Sequence, residues 1–206
     1  PYVSAASSGL TLVDATWAFT NADDGKLVEL NHDNSILAAS YLNNITLFDV
    51  ATNEVIQTFQ FDRIIRAIDF SPDGSKLVVS KDVVATKQDS IRLIDIAELT
   101  ILTDTASADD EASEITWSSD SSSIAAPRAN GDVSIFDGDN LFLTRTLSGV
   151  HNTDVTCIDY SNNGQFILTG DETGRYIVWN VSGGKYGQHR TINEGLVDCI
   201  FSPDSM

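Results

Sequence analysis

The chain has 206 residues, a formal net charge of −18 and a sequence pI of about 4.2. Such a charge repels phosphate backbones, which argues against nucleic-acid binding through a basic face and against attraction to anionic membranes. Hydrophobic residues make up 42% and charged residues 20%, a composition that excludes a disordered chain. No apolar run approaches the roughly 18 residues that cross a bilayer. We expect a soluble protein without membrane insertion, with a cytoplasmic location favoured.

Short runs rich in β-branched and aromatic residues recur along the chain in one order, which we label strands a to d. Strand a is predicted at residues 27–30, 64–70, 115–117, 155–160 and 196–201. Strand b is predicted at 2–6, 36–40, 76–80, 123–126 and 165–169, and strand c at 10–13, 45–48, 91–94, 133–136 and 176–179. Strand d is predicted at 17–20, 55–59, 101–105, 141–146 and 188–192. No helix is predicted.

An acidic or amide residue closes each predicted strand c and marks the period of the repeat: Asp14, Asp49, Asp95, Asp137 and Asn180. Successive markers lie 35 to 46 residues apart, which is the range of four-stranded propeller blades. We predict one domain over 1–206, with units at 196–206 plus 1–20, 26–60, 64–106, 114–146 and 154–192. The split unit is expected to close the ring by pairing 196–201 with 2–6, which would remove exposed sheet edges.

The repeat pattern resembles a known family. Strand a ends in an aromatic residue, a turn such as Ser71-Pro72-Asp73-Gly74 follows, and strand c ends in an aromatic or apolar residue plus Asp or Asn. The best copy runs from His151 to Asn180. This order is similar to the WD40 β-propeller repeat, and the resemblance implies an all-β, five-bladed antiparallel β-propeller.

In that family a hydrogen-bonded brace holds a blade together, and the resemblance assigns it here to His151, Thr169 and Trp179, with Asp171 or Glu172 as the acidic member. The other four copies lack the histidine. They carry smaller or different residues in place of the tryptophan: Val13, Phe48, Ile94 and Phe136. The brace is structural, so it implies no reaction.

The chain shows no catalytic motif and no pair of histidines with metal-ligand spacing, so we expect no cofactor, no metal and no enzymatic activity. Cys157 and Cys199 fall in strand a of consecutive repeats. Without a CxxC pair or a wider cysteine framework, we expect both to be small buried hydrophobic residues.

Candidate partner-binding residues lie in the b–c and d–a connections. The b–c loop 81–90 is longer than its counterparts, and Lys81, Lys87 and Arg128 bring positive charge to such loops. Asp109, Asp110 and Glu111 form the densest acidic run. A tolerated insertion and a solvated acidic run are the alternatives, since long surface loops add little entropic cost.

We expect a non-catalytic scaffold that binds protein or peptide partners through this loop face, because a closed ring presents short loops on a rigid platform. The alternatives are a ligand-binding or enzymatic propeller that uses its central channel, and a five-blade portion of a longer propeller. The apolar starts of the predicted a strands favour the scaffold over the channel enzyme: Leu27, Ile64, Ile115, Val155 and Leu196.

Overall fold

The computed structural model of the chain describes residues 11–13, 16–18, 27–82, 91–104, 112, 114–128, 130–148, 151–182, 184–185, 190–191, 195–196 and 198–202. Every regular element in these ranges is a β-strand, and the strands pair antiparallel. The chain forms two compact units, Pro1–Ile65 and Arg66–Met206, and each is described by itself.

The first unit contains a two-stranded hairpin and a four-stranded sheet. The hairpin pairs β1 (Thr11–Val13) with β2 (Thr16–Ala18). Sheet I has the sequential order β3 (Val28–Leu30), β4 (Ile36–Tyr41), β5 (Asn44–Asp49) and β6 (Val55–Gln60). Its buried cluster of Leu37, Ala39 and Phe48 lies on the two central strands, where pleated apolar side chains pack best.

The second unit contains three further sheets, each with its strands in chain order. Sheet II, which starts at the unit boundary, comprises β7 (Ile65–Phe70), β8 (Lys76–Lys81), β9 (Ile91–Asp95) and β10 (Thr100–Asp104). Sheet III comprises β11 (Thr116–Trp117), β12 (Ser123–Pro127), β13 (Val133–Asp137) and β14 (Leu143–Leu147). Sheet IV comprises β15 (Val155–Tyr160), β16 (Phe166–Asp171), β17 (Arg175–Asn180), β18 (Gly184–Lys185) and β19 (Arg190–Thr191). Strands β18 and β19 both pair with β17.

Sheet III packs between sheets II and IV through its two faces. Along β12, Ile124 and Ala126 join a buried cluster with residues of sheet II, whereas Ala125 between them joins a cluster with residues of sheet IV. Successive side chains of a strand point to opposite faces, so alternate residues reach different neighbours. This double burial explains why β12 and β13 are almost continuously apolar, and it means that sheets II and IV each cover one face of sheet III.

The a–b turns repeat one geometry in all four sheets. In three of them a serine hydroxyl accepts the N–H of the residue five positions later, at 2.9–3.0 Å, and in sheet I the Asn31 amide oxygen does so at 2.9 Å. The fourth turn residue has a positive φ in every copy, at Asn34, Gly74, Ser121 and Gly164. Glycine and asparagine suit that conformation, which explains the turn chemistry of the repeat.

The c–d turns explain why an acidic or amide residue marks each repeat. Asp49, Asp95 and Asp137 each accept a hydrogen bond from a backbone N–H two or three residues later, at 2.7–3.0 Å, and Asn180 accepts that of Ser182 at 2.9 Å. Their side chains therefore take the place of a backbone acceptor and initiate the turn.

The all-β prediction is confirmed, and the successive four-stranded meanders have the order expected of WD40 blades. Predicted and observed strand bounds differ by one or two residues at most strand ends. The fourth strand of sheet IV, predicted as 188–192, instead consists of the two short pieces β18 and β19. Predicted strand 196–201 is not a strand at 196 and 198–201, the described part of that range, and strand 2–6 lies outside the described residues. The single five-bladed domain and its closure remain predictions.

Candidate functional site

Sheet IV brings the four predicted brace residues into one hydrogen-bonded chain. His151 precedes β15, Thr169 and Asp171 lie on β16, and Trp179 lies on β17. Trp179 Nε1 donates to Thr169 Oγ1 at 2.8 Å, and that oxygen lies 2.7 Å from His151 Nε2. His151 Nδ1 lies 2.8 Å from Asp171 Oδ2.

The hydrogen-bonding capacity of each side chain determines which atoms of the brace donate and which accept. The indole can only donate, so the Thr169 oxygen accepts from Trp179 and has its own hydrogen left for His151 Nε2. The imidazole then carries its hydrogen on Nδ1 and donates it to Asp171. We assign this neutral tautomer from the network, because it uses every polar hydrogen once.

The Asp171 carboxylate, and not that of Glu172, is the acidic member of the chain. Its Oδ1 accepts the Thr173 N–H at 3.0 Å, the Thr173 hydroxyl at 2.6 Å and the Arg175 N–H at 3.0 Å. Burial raises the pKa of Asp171, but the hydrogen bonds from Thr173, His151 and Arg175 together outweigh it and lower that pKa below its usual value. One side chain thus fixes both the β16–β17 turn and the histidine.

The brace is closed to solvent and has little capacity for chemistry. The exposed fractions of His151, Thr169, Asp171 and Trp179 are 3%, 0%, 1% and 2%. The ring centroids of His151 and Trp179 lie 6.5 Å apart, and the polar atoms of the four side chains contact one another or the adjoining turn. A base or nucleophile needs access to a substrate, so this arrangement stabilises a sheet and offers no reactive group.

The candidate partner-binding residues differ in burial and in whether the structure describes them. Lys81 ends β8 and is 1% exposed, so the expectation that it presents its charge on a surface loop is wrong for the described arrangement. Lys81 is the last residue of β8, and its whole side chain is enclosed. Arg128 is half-buried, and its Nε donates to Ser134 Oγ on β13. Lys87, Asp109, Asp110 and Glu111 lie outside the described residues.

The described b–c connections are short and held by their own hydrogen bonds. In sheet I a two-residue loop joins β4 to β5, and Asn43 Nδ2 donates to the Phe61 carbonyl at 2.6 Å. In sheet III the Arg128 N–H donates to the Asp132 carbonyl at 2.8 Å. Tyr41, the last residue of β4, and Leu42 of the loop are 54% and 40% exposed, and Leu42 has a φ of 53°. The predicted strand ends at residue 40, and nothing in the sequence pattern marks this apolar pair as exposed.

The prediction that both cysteines are free buried residues is wrong. Cys157 and Cys199 form a disulfide, with their Cα atoms 5.6 Å apart. Their equivalent positions in consecutive repeats, 42 residues apart, are visible in the sequence. The pairing follows because consecutive repeats stack, which brings a strand a residue of one repeat beside that of the next.

Within the described part of the chain, no group of three or more His, Cys, Asp or Glu side chains is arranged to hold a metal ion. The same residues contain no helix with the length and apolar character needed to span a membrane.

Comparison with known proteins identifies the repeat and two related proteins. Residues 142–180 match the family described as WD domain, G-beta repeat, and this segment contains β15–β17 and the whole brace. The chain is 26% identical over 165 residues to eukaryotic translation initiation factor 3 subunit I of Neurospora crassa, covering 73% of this chain and 46% of the relative. It is 33% identical over 121 residues to the subunit of the same name from Lodderomyces elongisporus, covering 52% and 35%.

The chain therefore spans less than half the length of either curated relative. The family match, the successive four-stranded meanders and the hydrogen-bonded brace agree with one another. Residues 142–180 are therefore a WD40 repeat, and the all-β meanders of the chain are consistent with a WD40 β-propeller.

Proposed function

We propose that this chain is a non-catalytic scaffold that binds protein partners within a translation initiation assembly. The observation that carries the proposal is the WD-repeat match over residues 142–180, the segment in which His151, Thr169, Asp171 and Trp179 bond one another. Both relatives are named as a subunit of translation initiation factor 3, and a subunit by definition associates with other chains. Rigid sheets joined by short loops suit that role.

The site chemistry supports binding over catalysis. The histidine that the family pattern singles out is enclosed, and its two ring nitrogens already contact Thr169 and Asp171. The channel-enzyme alternative needs accessible polar groups at the starts of the first strands. Val155 and Ile65, which begin β15 and β7, are instead buried and apolar.

We place the binding surface at the b–c and d–a connections. Support comes from the exposed Tyr41 and Leu42 pair at a loop that the Phe61 carbonyl helps to fix. Aromatic and apolar side chains on a rigid loop lose little conformational entropy on binding and are favoured anchors of protein interfaces. Because Lys81 is enclosed, we leave it out of this surface. Lys87, Asp109, Asp110 and Glu111 remain candidates on sequence grounds.

A binding experiment with the whole chain tests the function. The immobilised chain would be presented in turn with each of the other purified subunits of Neurospora crassa translation initiation factor 3. We expect one of them to bind with a dissociation constant in the micromolar range or tighter. Failure of every subunit to bind would contradict the proposed assembly. Turnover of a small molecule by the purified chain would contradict the scaffold.

A matched pair of variants tests the surface. Tyr41→Ala with Leu42→Gly removes the apolar pair, and glycine suits the φ of 53° at position 42. We expect affinity to fall at least tenfold. Val55→Ala removes a side chain that is 59% exposed beside the c–d turn of the same sheet, and it should change affinity less than twofold. The reverse ranking would place the surface at the other end of the sheet.

Charge reversal tests the contribution of the long b–c loop. Lys87→Glu should slow association more than it speeds dissociation, because exposed charges act mainly through long-range steering. Raising the salt concentration should weaken binding for the same reason, since charges are screened beyond about 8–10 Å near physiological ionic strength. An association rate that is insensitive to both changes would remove loop 81–90 from the surface.

A further inference from the structure

The disulfide fastens a segment of chain onto the face of sheet IV that points away from sheet III. We call residues 195–202, of which 195, 196 and 198–202 are described, the latch segment. Cys157 lies opposite Gly170 in the β15–β16 ladder, whereas the neighbouring pair Ile158 and Thr169 carries the cluster and the brace on the sheet III side. The latch segment is therefore the described cover of the second face.

Besides the disulfide, three hydrogen bonds hold this segment against sheet IV. The Thr156 hydroxyl donates to the Leu196 carbonyl at 2.6 Å, and the Leu196 N–H donates to the Asp171 carbonyl at 3.2 Å. The Phe201 N–H donates to Asp159 Oδ2 at 2.6 Å. A Cβ added to Gly170 would lie 2.6 Å from Leu196 Cδ1 and 2.7 Å from Cys157 Sγ, so the missing side chain makes room for both.

The equivalent contact between sheets II and III has no covalent bond. The Trp117 N–H donates to Asp69 Oδ2 at 2.8 Å, which is the counterpart of the Phe201–Asp159 bond. The positions that correspond to Cys157 and Cys199 are Ala67 and Ile115, both 5% exposed and both in one buried cluster. That junction is thus held by apolar burial, which a change of redox state does not affect.

The junction with the latch segment is less well buried and carries repulsive charge. Cys199 and Phe201 are half-buried, and Ile200 is 76% exposed. Burial raises the pKa of Glu114 and of Asp159, and the nearby charge of Asp198 raises both further. The Asp198 carboxylate on the segment therefore repels both groups, and this repulsion opposes binding of the segment to sheet IV. A few hydrogen bonds have little net effect against the entropy of ordering a chain segment.

We infer that Cys157 and Cys199 form a redox-controlled latch: the oxidised pair holds segment 195–202 on sheet IV, and reduction releases it. A dithiol reductant supplies two electrons and two protons. Its thiolate attacks one sulfur of the Cys157–Cys199 bond, that bond breaks, and the reductant closes to its own disulfide while two cysteine thiols form. Release uncovers Gly170 and the adjoining face of sheet IV, so redox state sets which surface the chain presents to partners.

Amide hydrogen exchange on the whole chain tests the latch. The protein is oxidised with glutathione disulfide, and alkylation followed by mass spectrometry counts its free thiols. We expect none in the oxidised protein and two after dithiothreitol. Exchange of the Leu196 and Phe201 amides should speed at least tenfold on reduction, whereas that of the Trp117 amide should change less than twofold. Two free thiols after oxidation, or equal exchange of Leu196 and Phe201 in both states, would overturn the inference.

Two variants separate the latch from a general effect of the reductant. Cys199→Ser should show fast exchange at Leu196 and Phe201 with or without dithiothreitol. Cys157→Ala with Cys199→Ile installs the pair found at positions 67 and 115, and it should keep exchange slow in both conditions. If this double variant still responded to dithiothreitol, the response would not arise from the disulfide and the inference would fail. The wild-type comparison stands even where a variant folds poorly.

Discussion

Sheets II and IV place different chemistry at equivalent positions. In sheet IV, Ile167 pairs with Trp179, and Thr169 lies two residues further along β16. In sheet II, Leu77 pairs with Ile94, and Val79 takes the place of the threonine. Val79 and Ile94 are fully buried, as is Thr169. One sheet therefore fills its interior with apolar side chains, and the other with a hydrogen-bonded chain that ends on a carboxylate.

The difference shows that the brace is one of two solutions to the same packing problem. A buried polar network is stabilising only when every member is satisfied, whereas an apolar interior has no such condition. Sheet IV should consequently be sensitive to the loss of any one member, while sheets II and III should respond mainly to lost volume. Single substitutions in each sheet distinguish these two responses.

Trp179→Ala should cause the largest loss of stability among the strand c endings. The change removes the largest buried side chain of sheet IV and leaves the Thr169 hydroxyl without its donor. A cost of about 3–5 kcal/mol is expected from denaturant titration. Phe136→Ala and Ile94→Ala should each cost less, and Phe142→Ala, at a site 73% exposed, should stay within about 0.5 kcal/mol. A greater loss in Phe136→Ala than in Trp179→Ala would refute the special role of the brace.

Asp171→Asn should cost roughly 2–3 kcal/mol, because the carboxylate accepts charge-assisted bonds from His151, Thr173 and Arg175. Thermal melts at neutral pH would measure the loss. Asp139→Asn, on an exposed c–d turn, is the matched control and should have little effect. Equal effects of the two changes would mean that Asp171 acts only as an ordinary turn residue.

The acid dependence of stability should have opposite signs at two aspartates. The folded-state pKa of Asp171 is lowered, so its contribution is present above the unfolded value of about 3.9 and is lost as pH falls through the folded pKa. The pKa of Asp159 is raised, mainly by burial, so its ionisation costs stability at neutral pH and protonation relieves that cost. Asp171→Asn should therefore flatten the acid limb of the stability curve, and Asp159→Asn should steepen it. Parallel shifts in both variants would contradict the assignment.

Replacing a polar residue of sheet IV with its apolar counterpart from sheet II, or the reverse, should lower the free energy of unfolding in each case. Thr169→Val leaves Trp179 Nε1 and His151 Nε2 without their partner, at a cost of about 1–3 kcal/mol. Val79→Thr buries a hydroxyl in an apolar interior and should cost a similar amount, about 1–3 kcal/mol. Urea titration of each variant measures the effect. A neutral result for Thr169→Val would show that hydrogen bonding contributes little to sheet IV.

The turns should give the smallest effects. Gly74 has a φ of 73° and free space around its missing Cβ, so Gly74→Ala should cost about 1–2 kcal/mol through backbone strain alone. Ser121 occupies the same turn position in sheet III with a φ of 60°, and its Oγ accepts the Asp73 N–H at 3.1 Å. Because Ser121→Gly relieves the strained φ but loses this hydrogen bond, its net effect should stay within about 1 kcal/mol. Differential scanning calorimetry would detect both. Stabilisation by Gly74→Ala would contradict the shared turn geometry.

Much of the fold could be predicted because short local sequence patterns specify each strand and turn of the repeat. The β-branched runs, the Ser-Pro-Asp-Gly turn and the aspartate after strand c each have a local physical cause that the structure displays. The four brace residues could be named because the family resemblance assigns them by position. The choice of Asp171 over Glu172 depends on the three-dimensional arrangement, since the direction of β16 decides which carboxylate reaches His151.

The features that escaped prediction depend on tertiary packing. The Cys157–Cys199 bond requires knowledge of how consecutive repeats stack. Lys81 looks like a loop residue because lysine is rarely buried, yet β8 continues to this residue and encloses it. Leu99 and Leu141 adopt φ values of 53° and 58°, which no propensity for leucine would indicate. Their conformation is imposed by the c–d turns that Asp95 and Asp137 initiate.

A double-mutant cycle between Thr169 and Trp179 tests most directly whether the brace acts as a connected unit. Thr169→Val, Trp179→Phe and the double variant would be unfolded in urea under identical conditions. Because the two side chains share a buried hydrogen bond of 2.8 Å, the coupling energy should be about 1–3 kcal/mol. The corresponding cycle of Val79→Ala with Ile94→Val in sheet II should give a smaller coupling. Additive effects at Thr169 and Trp179, within about 0.3–0.5 kcal/mol, would contradict the account.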